Sequence, residues 1–464
     1  MKGSVNSVAL DSDTKSKEIF EQMPVPKAVA MLAIPTILSQ IVTMIYNLAD
    51  TFFVGQLGDP YMVAAVSLAF PLFYIITTIG NLFGIGGGSL ISRMMGMGES
   101  GEIRRVSAFC FYGSIAASLL YSVLCGCFLV PLLTFLGASG QTFSFAAHYV
   151  ILVIVIGGPP TAVGLTLSNL LRSVGCSKQA SFGMMFGGIL NLVLDPIFIF
   201  ALRLNVAGAA AATAVSNLIP MIYFIVVFVR MAGRNEIALS LRGSDFTLRH
   251  IKPVFSVGVC AALNTLLAGI GNMLIIKLSS GYGDIPVAAF GIVKKVDNLP
   301  INISMGLCQG YMPLIGYNFA SGDYKRMRQI SRFTWKCSIV FSAVCILGAQ
   351  IAAPLIIRIF IRNAEIEAMG AEFLRIACLA VPFTAINFLI SYALQAMGKA
   401  RAALILSVCR LGILNIPMLL LLNAFVGLYG IISAQIVTEV ISIFASFGVY
   451  LSVMRKLPEA GTGQ

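Results

Sequence analysis

The stretch AVAMLAIPTILSQIVTMIYNLADTFFV, residues 28–54, is apolar over most of its length but contains an aspartate, Asp50, near its end. A helix of about 20 residues crosses a hydrocarbon core of about 30 Å, so this stretch is long enough to span a membrane. Asp50 follows Gln40, Thr43 and Asn47 at helical intervals, which places all four side chains on one face. A charge at the bilayer centre costs about 2.5–3.5 kcal/mol, so we expect this face to have a functional role.

Similar apolar stretches recur along the whole chain. Its 464 residues are 58% hydrophobic and 11% charged, whereas soluble proteins average about 25% charged residues. The predicted transmembrane helices are residues 28–54, 61–85, 107–136, 146–171, 180–202, 206–231, 251–279, 286–316, 330–361, 371–397, 402–422 and 427–453. Spanning helices satisfy their own backbone hydrogen bonds, so the predicted fold class is an all-α polytopic membrane protein with 12 transmembrane helices.

The basic residues between these spans predict the orientation of the chain. Lys and Arg are concentrated in the N-terminal stretch and the even-numbered connections, with Arg203, Arg358 and Arg362 as the main exceptions. By the positive-inside rule both termini are cytoplasmic, and we expect a multi-pass protein of the plasma (inner) membrane. The net charge of +12 therefore indicates topology, and we expect no nucleic-acid partner.

Motifs for catalysis, metals or cofactors are weak. The ten cysteines form no CxxC or Cys/His pattern, which disfavours disulfides and a structural metal site. The first 22 residues do not follow a signal-peptide pattern. Gly84-Ile-Gly-Gly-Gly lacks the lysine of a phosphate-binding loop and lies inside an apolar stretch. We expect no enzymatic activity and no cofactor.

The two halves of the chain resemble each other. Gln56-Leu-Gly-Asp-Pro and Gly281-Tyr-Gly-Asp-Ile follow the first and seventh spans, and Leu171-Arg-Ser-Val-Gly and Leu394-Gln-Ala-Met-Gly end the fourth and tenth. Halves with an even number of spans share one orientation, which predicts two six-helix bundles related by a pseudo-two-fold axis along the membrane normal. The predicted divisions are a cytoplasmic tail (1–27), an N-terminal lobe (28–231), a cytoplasmic linker (232–250), a C-terminal lobe (251–455) and a cytoplasmic tail (456–464).

Five stretches carry a family resemblance. They are Ala49-Asp-Thr-Phe-Phe-Val-Gly-Gln-Leu-Gly, Leu171-Arg-Ser-Val-Gly, Asn191-Leu-Val-Leu-Asp-Pro-Ile-Phe, Gly208-Ala-Ala-Ala-Ala-Thr and Gly306-Leu-Cys-Gln-Gly-Tyr-Met-Pro-Leu-Ile-Gly-Tyr-Asn. In their order and spacing, over about residues 25–455, the chain resembles the prokaryotic multidrug and toxic compound extrusion (MATE) family of cation-coupled efflux transporters. The resemblance implies an exporter that keeps its acidic residues in the N-terminal half.

A second carboxylate, Asp195, lies in the middle of the fifth span, with Asn191 one turn earlier and no basic residue in the same helix. A carboxylate in this setting should bind a proton or a metal cation. The family resemblance implies a cation-coupling site formed by Asp50, Asn191 and Asp195, with Tyr46 and Thr213 nearby and Asn169 or Ser168 completing it. The alternatives are a purely structural carboxylate and, for Asp50, a position at the membrane interface.

Pro35 precedes the polar face of the first span by little more than one turn. Proline removes a backbone hydrogen bond and clashes with the preceding turn, so we predict a bend there. We expect this bend to act as a hinge that couples ion binding at Asp50 to drug movement; the alternative is a static kink.

The second half lacks equivalents of the two aspartates. Aligning the repeats places Ile275 opposite Asp50 and Met418 opposite Asp195. Its intramembrane charges are instead Lys294, Lys295, Asp297, Arg410 and Glu439. Residues predicted to line a substrate cavity are Gln40, Asn47, Tyr74, Asn272, Lys294, Asp297 and Gln395.

The resemblance predicts an antiporter, active as a monomer, that exports organic and mainly cationic compounds against inward flow of H⁺ or Na⁺. Any metal at Asp50 and Asp195 would then be Na⁺, and sequence leaves the ion open. The main alternative is a lipid-linked oligosaccharide flippase of the same superfamily, which should have several basic residues in its cavity. A channel and a scaffold for soluble partners are further alternatives.

Overall fold

The computed structural model describes residues 18–57, 59–138, 140–232, 248–360 and 363–458, and the regular structure within these ranges is helical. The helices are α1 (Val25–Gly55), α2 (Pro60–Met97), α3 (Ser100–Cys127), α4 (Leu129–Phe135), α5 (Gly140–Val150), α6 (Gly158–Ser173), α7 (Ser177–Pro196), α8 (Asn205–Ala232), α9 (Leu248–Ser279), α10 (Asp284–Ala320), α11 (Tyr324–Phe360), α12 (Ala364–Cys378), α13 (Val381–Ala396), α14 (Ala400–Val408), α15 (Asn415–Val426) and α16 (Leu428–Arg455). Shorter pieces are a turn before α1 (Glu18–Gln22), a 3₁₀ turn after α9 (Ser280–Tyr282) and π-helical turns after α5 (Ile151–Ile156), α7 (Ile197–Ala201) and α14 (Cys409–Leu414). Most of the predicted linker, residues 232–250, lies outside the described ranges.

The helices agree with a polytopic membrane protein. Among the described residues, ten helical segments, and an eleventh formed by the bent pair of α5 and α6, are long and apolar enough to cross a membrane. The remaining predicted span is the eighth, which corresponds to helix α10; this helix has 37 residues and carries Lys294, Lys295 and Asp297. The sixteen helices therefore account for the twelve predicted spans.

Several spans predicted as single helices are interrupted. The fourth bends by 41° at Gly157, where α6 begins with prolines in its first turn. The tenth breaks between α12 and α13, and α13 also starts with a proline, Pro382. Proline is tolerated in a first turn but not in a helix interior, so it restarts these helices after a break.

The second span is longer than predicted. Its expected end at residue 85 lies within a glycine-rich segment, yet α2 continues through this segment to Met97. A Cβ atom on Gly84 would lie 2.9 Å from the Asn169 side chain, and one on Gly86 would clash with the carbonyl of Val254. Close packing against α6 and α9 therefore holds this weak helix-forming segment in helical form.

Helices of the first half, α1–α8, contact those of the second half, α9–α16, mainly through three pairs. Helix α1 packs along α10, and α2 packs along α9 and α10. A Cβ atom on Gly310 would lie 2.5 Å from the Cα atom of Ala33, and one on Gly306 would lie 2.7 Å from the Cα atom of Ile37. Small residues thus allow the backbones of α1 and α10 to touch.

The turn Glu18–Gln22 covers one end of this contact. The Phe20 ring is fully buried and stacks on Tyr317, with ring centroids 4.8 Å apart. Arg326 donates from Nε to the carbonyl of Phe20 at 2.7 Å and from Nη2 to that of Met23 at 2.6 Å. A Cβ atom on Gly175 would lie 3.3 Å from the Phe20 ring, so the ring lies next to Gly175 of the first half as well as Tyr317 of the second.

Candidate ion site and central cavity

The polar face of α1 lies against Gly188 of α7, which follows a second glycine, Gly187. A Cβ atom on Gly188 would lie 2.8 Å from Cδ1 of Tyr46, and one on Gly187 would lie 2.5 Å from Pro220 of α8. The two glycines therefore let α1 and α8 approach the backbone of α7. This approach brings Tyr46 next to Asn191, one turn farther along α7.

The two predicted carboxylates interact across this contact. Asp195 is fully buried and Asn191 is 2% exposed, and Nδ2 of Asn191 donates to Oδ1 of Asp195 at 3.2 Å. Asp50 and Asp195 are close enough to interact electrostatically. Within the described part of the chain, neither forms an ion pair with a basic side chain.

Three oxygen atoms of this cluster are buried and have no hydrogen-bond partner among the described residues: Oδ1 of Asp50, Oδ2 of Asp195 and Oδ1 of Asn191. Buried polar groups in folded proteins are nearly always paired, because an unpaired one costs about 1–3 kcal/mol. Two carboxylates and an amide oxygen fit the ligand preference of a hard cation, and a carboxylate can equally bind a proton. The residues present therefore suit a proton or a hard cation such as Na⁺.

Two tyrosines lie beside the carboxylates. Tyr46 was expected there from the family resemblance. Tyr149, in α5, was not expected, yet it is 7% exposed and interacts electrostatically with Asp50, Asp195 and Tyr46. No local pattern in the fourth span marks Tyr149, because its position depends on how α5 packs against α2 and α8.

A cavity of about 220 Å³ adjoins the cluster within the first half. Its polar lining residues are Thr43, Tyr46, Asn47, Thr77, Thr161, Asn191, Thr213, Ser216 and Asn217. Thr213, expected near the ion site, therefore lies in the same cavity as Asn191 and Tyr46. Asn47, expected in the substrate cavity, lines this one as well, whereas Gln40 lines neither this cavity nor the central one.

The structure places Asn169 elsewhere, which corrects the expectation that it or Ser168 completes the ion site. Oδ1 of Asn169 accepts from Nη1 of Arg172 at 3.2 Å, and the Ser168 hydroxyl accepts from the same nitrogen at 3.3 Å. Both residues are thereby engaged by a buried guanidinium, and Asn169 packs against Gly84 of α2. Both residues lie at the end of the fourth span, and α6 turns this face toward α2.

Pro35 lies inside α1, which is a continuous helix through this position. The contacts of Ala33, Thr36 and Ile37 with α10 surround it. Pro35, the predicted hinge, therefore lies where α1 contacts α10 of the second half.

A second, central cavity of about 350 Å³ lies between α2, α9, α10 and the helices α13–α16. Tyr74, Asn272, Lys294 and Gln395, all predicted to line a substrate cavity, do so. Eight amide side chains contribute: Asn81, Asn264, Asn272, Asn298, Gln309, Gln395, Asn415 and Gln435. Gly86, Gly306 and Gly310, which make close contacts between the two halves, each directly follow a residue that lines this cavity.

The charges of the second half form two ion pairs at this cavity. Nζ of Lys294 is 3.7 Å from Oδ2 of Asp297, and Nη1 of Arg410 is 3.0 Å from Oε1 of Glu439. Asn387 donates from Nδ2 to Oε2 of Glu439 at 2.7 Å. Asp297, which was also predicted to line the substrate cavity, is instead fully buried behind its surface, where it pairs with Lys294.

Twelve apolar spans in two repeated halves, with a polar cavity between them and carboxylates within two of the spans, define a membrane transporter. The sequence model of the MatE family matches residues 35–197 and again residues 260–421. The chain belongs to this family, the multidrug and toxic compound extrusion transporters. The two matches also agree with the internal repeat seen in the sequence.

Individual relatives cover nearly the whole chain. "Multidrug export protein MepA" of Staphylococcus saprophyticus is 33% identical over 427 residues, 92% of this chain and 94% of its own length. The protein of the same name from Staphylococcus aureus strain MRSA252 is 31% identical over 420 residues, 90% of this chain and 92% of its own.

Solved structures agree with the fold. A Vibrio cholerae MATE transporter, VcmN, matches with a TM-score of 0.86 at 22% identity and covers 96% of this chain and 98% of its own. A structure titled as the outward-facing conformation of a multidrug resistance MATE family transporter matches with a TM-score of 0.87, with the same identity and coverage.

Proposed function

We propose that this protein is a cation-coupled multidrug antiporter that exports organic, mainly cationic, compounds in exchange for H⁺ or Na⁺. The coupling ion binds in the first half at Asp50, Asp195 and Asn191, with Tyr46 and Thr213 beside them. The bulky substrate binds in the central cavity. Alternating access carries the two in opposite directions across the cell membrane.

One observation carries this proposal: two interacting carboxylates, on α1 and α7, have buried oxygen atoms without hydrogen-bond partners among the described residues. Two anions close together in a low-dielectric environment repel each other, so a proton or a cation between them stabilises the pair. Because Asp50 and Asp195 lie on different helices, ion binding and release change how strongly α1 attracts α7. Helix α1 also contacts α10, so this change reaches the boundary between the halves.

The central cavity supports an organic substrate. It has both apolar and amide-bearing side chains, and Tyr74 and Phe388 contribute aromatic faces. Apolar walls with a few polar groups are typical of small-molecule sites, and aromatic faces attract organic cations. The names of the MepA relatives, which describe multidrug export, agree with this role.

The charge of the cavity argues against a flippase for lipid-linked oligosaccharides. A pyrophosphate group requires several basic residues that are free to bind it. Of the basic residues that line the cavity, Arg410 is paired with Glu439 and Lys294 contacts both Asp297 and Gln435.

By the positive-inside rule both termini are cytoplasmic, which puts the turn Glu18–Gln22 on the cytoplasmic side of the membrane.

The test is efflux of ethidium from proteoliposomes under an imposed Na⁺ gradient, an imposed pH gradient, or neither. The variants are Asp50→Asn and Asp195→Asn, and the control is Asp59→Asn. Asp59 accepts the backbone N–H of Tyr61 at 2.8 Å in a connection, and an asparagine can make the same hydrogen bond.

We expect one gradient to drive efflux in the unmodified protein and in Asp59→Asn, and both intramembrane variants to lose at least tenfold in this gradient-driven rate. Full gradient-driven efflux in both Asp50→Asn and Asp195→Asn would overturn the proposed coupling site. The gradient that works identifies the ion.

A further inference from the structure

Helix α10 carries a cation and an anion of very different exposure on neighbouring turns. The Asp297 side chain is completely buried, whereas that of Lys294 is 27% exposed and lines the central cavity. The ammonium of Lys294 therefore lies between the carboxylate and the cavity. Asp297 has a second oxygen, Oδ1, that is buried and has no hydrogen-bond partner in the described part of the chain.

The surroundings of the Lys294 ammonium are those of a binding site for an organic cation. Nζ lies 3.7 Å from Oδ2 of Asp297, donates to Oε1 of Gln435 at 2.7 Å and lies 5.8 Å from the centroid of the Phe290 ring. Nε2 of Gln435 in turn donates to Oδ2 of Asp297 at 3.4 Å. A carboxylate, an amide oxygen and an aromatic face together attract ammonium and other organic cations.

We propose that the cation-binding site of the central cavity is formed by Asp297, Gln435 and Phe290, and that Lys294 occupies it until a substrate cation displaces the lysine. This proposal rests on the proposed function and assigns the position of the substrate's positive charge. Lys294 acts as a tethered competitor that sets the affinity and selects for cations.

The energetics of the empty transporter favour such an arrangement. Burying a carboxylate without a cation beside it costs several kcal/mol of folding free energy. A substrate-free site in which Asp297 had no cationic partner would therefore be unstable. The lysine ammonium neutralises Asp297 whenever substrate is absent. After displacement, its four-carbon chain lets the ammonium move into the cavity, where water solvates it.

Glu439 cannot replace Asp297 in this role. Both of its carboxylate oxygens are engaged, one by Arg410 at 3.0 Å and the other by Asn387 at 2.7 Å. The Arg410 guanidinium also lies 4.9 Å from the centroid of the Phe388 ring, which holds it in place. A guanidinium fixed in this way is not readily exchanged for a substrate, whereas a single lysine ammonium is.

The first test measures equilibrium binding of radiolabelled tetraphenylphosphonium to purified full-length protein in detergent, with tetraphenylborate as the anion of matched size. The variants are Lys294→Met, Asp297→Asn and the double variant, with Lys294→Arg as the charge-conserving control. Thermal unfolding midpoints identify any variant that is not folded, and Lys294→Gln replaces Lys294→Met if that variant unfolds.

Removing the competitor should tighten tetraphenylphosphonium binding on the order of tenfold in Lys294→Met, whereas Lys294→Arg, which keeps a competing cation, should not tighten it. Asp297→Asn should weaken binding, and the double variant should lose the gain of Lys294→Met. Tetraphenylborate should not bind more tightly to Lys294→Met. Unchanged or weaker cation binding in Lys294→Met, or a gain that persists in the double variant, would overturn the proposal.

The second test reports displacement directly. Acylation of Lys294 by a small amine-reactive reagent is measured by mass spectrometry, with the exposed Lys325 as the reference. Tetraphenylphosphonium should increase Lys294 labelling several-fold, because the lysine leaves Asp297; a decrease would mean that the ligand merely covers it. Neither test imposes an ion gradient, so failure here and failure of coupling at Asp50 and Asp195 are distinguishable.

Discussion

The hydroxyl of Thr36 donates to the carbonyl of Gly306 at 2.7 Å, and this hydrogen bond joins α1 to α10 one residue after Pro35. The same hydroxyl lies 2.7 Å from the carbonyl of Ala33 and 3.2 Å from that of Leu32. Pro35 has no backbone N–H, so α1 lacks a backbone hydrogen bond at the place where it contacts the second half. A bend of α1 here would alter the α1–α10 contact.

Replacing Pro35 by alanine should stiffen α1. The variant regains a backbone hydrogen bond and loses the steric clash, so we expect the protein to remain folded while drug-stimulated ion flux falls several-fold. The measurement is substrate-driven H⁺ or Na⁺ flux in proteoliposomes. Pro354→Ala, within α11, is the matched control and should keep its flux. If Pro35→Ala kept normal drug-stimulated flux, the hinge role would be rejected.

Alanine at Gly310 should disrupt the contact of α1 with α10. Its Cβ atom would lie 2.5 Å from Cα and 2.6 Å from N of Ala33, both backbone atoms that cannot move without shifting the helix. Overpacking of this kind costs about 1–3 kcal/mol, so the thermal unfolding midpoint should fall.

Gly348→Ala provides the comparison, because a Cβ atom there has nothing within 4 Å and lies inside α11. Its midpoint should stay equal or rise, since alanine favours a helix over glycine by about 1 kcal/mol. Equal midpoints for the two alanine variants would show that the helix contact is looser than described.

Phe20 should hold the turn Glu18–Gln22 against α10. Its ring is fully buried, and truncating a buried phenylalanine costs about 3–5 kcal/mol. We expect Phe20→Ala to release the turn Glu18–Gln22 and to increase hydrogen exchange of residues 18–23 by at least tenfold. Arg326→Ala, which removes the hydrogen bonds to the carbonyls of Phe20 and Met23, should act in the same direction.

Lys325→Ala is the control for this experiment, because Lys325 is exposed and adjacent to Arg326. It should leave hydrogen exchange of the turn unchanged. Protection of the turn in Phe20→Ala equal to that in the unmodified protein would argue that the turn is held by other contacts.

Tyr149 should contribute to ion binding. Tyr149→Phe keeps the ring in the core and removes only the hydroxyl that lies near the two carboxylates. We expect the ion concentration for half-maximal efflux to rise several-fold with little change in unfolding temperature. Tyr61→Phe, on an exposed tyrosine at the start of α2, tests for a general effect of losing a hydroxyl. The same half-saturation in all three proteins would exclude Tyr149 from the ion site.

The amino-acid sequence by itself determined the membrane class, the number of spans, the internal repeat and the two carboxylates at membrane depth. These features are local: hydropathy is summed along one helix, and the cost of burying Asp195 is visible from its own span. Asn191 and Asp195 are one turn apart on a helix, so even their hydrogen bond follows from spacing.

Only the tertiary structure decided which side chains from different helices meet. It brought Tyr149 to the carboxylates, turned Asn169 toward Arg172, and placed Lys294 between Asp297 and the cavity. Lipid is as apolar as most helix surfaces, so hydropathy does not distinguish a helix face that meets protein from one that meets lipid. The pairing of faces is set by close contacts such as those of Gly188 and Gly310, which exist only after the helices have packed.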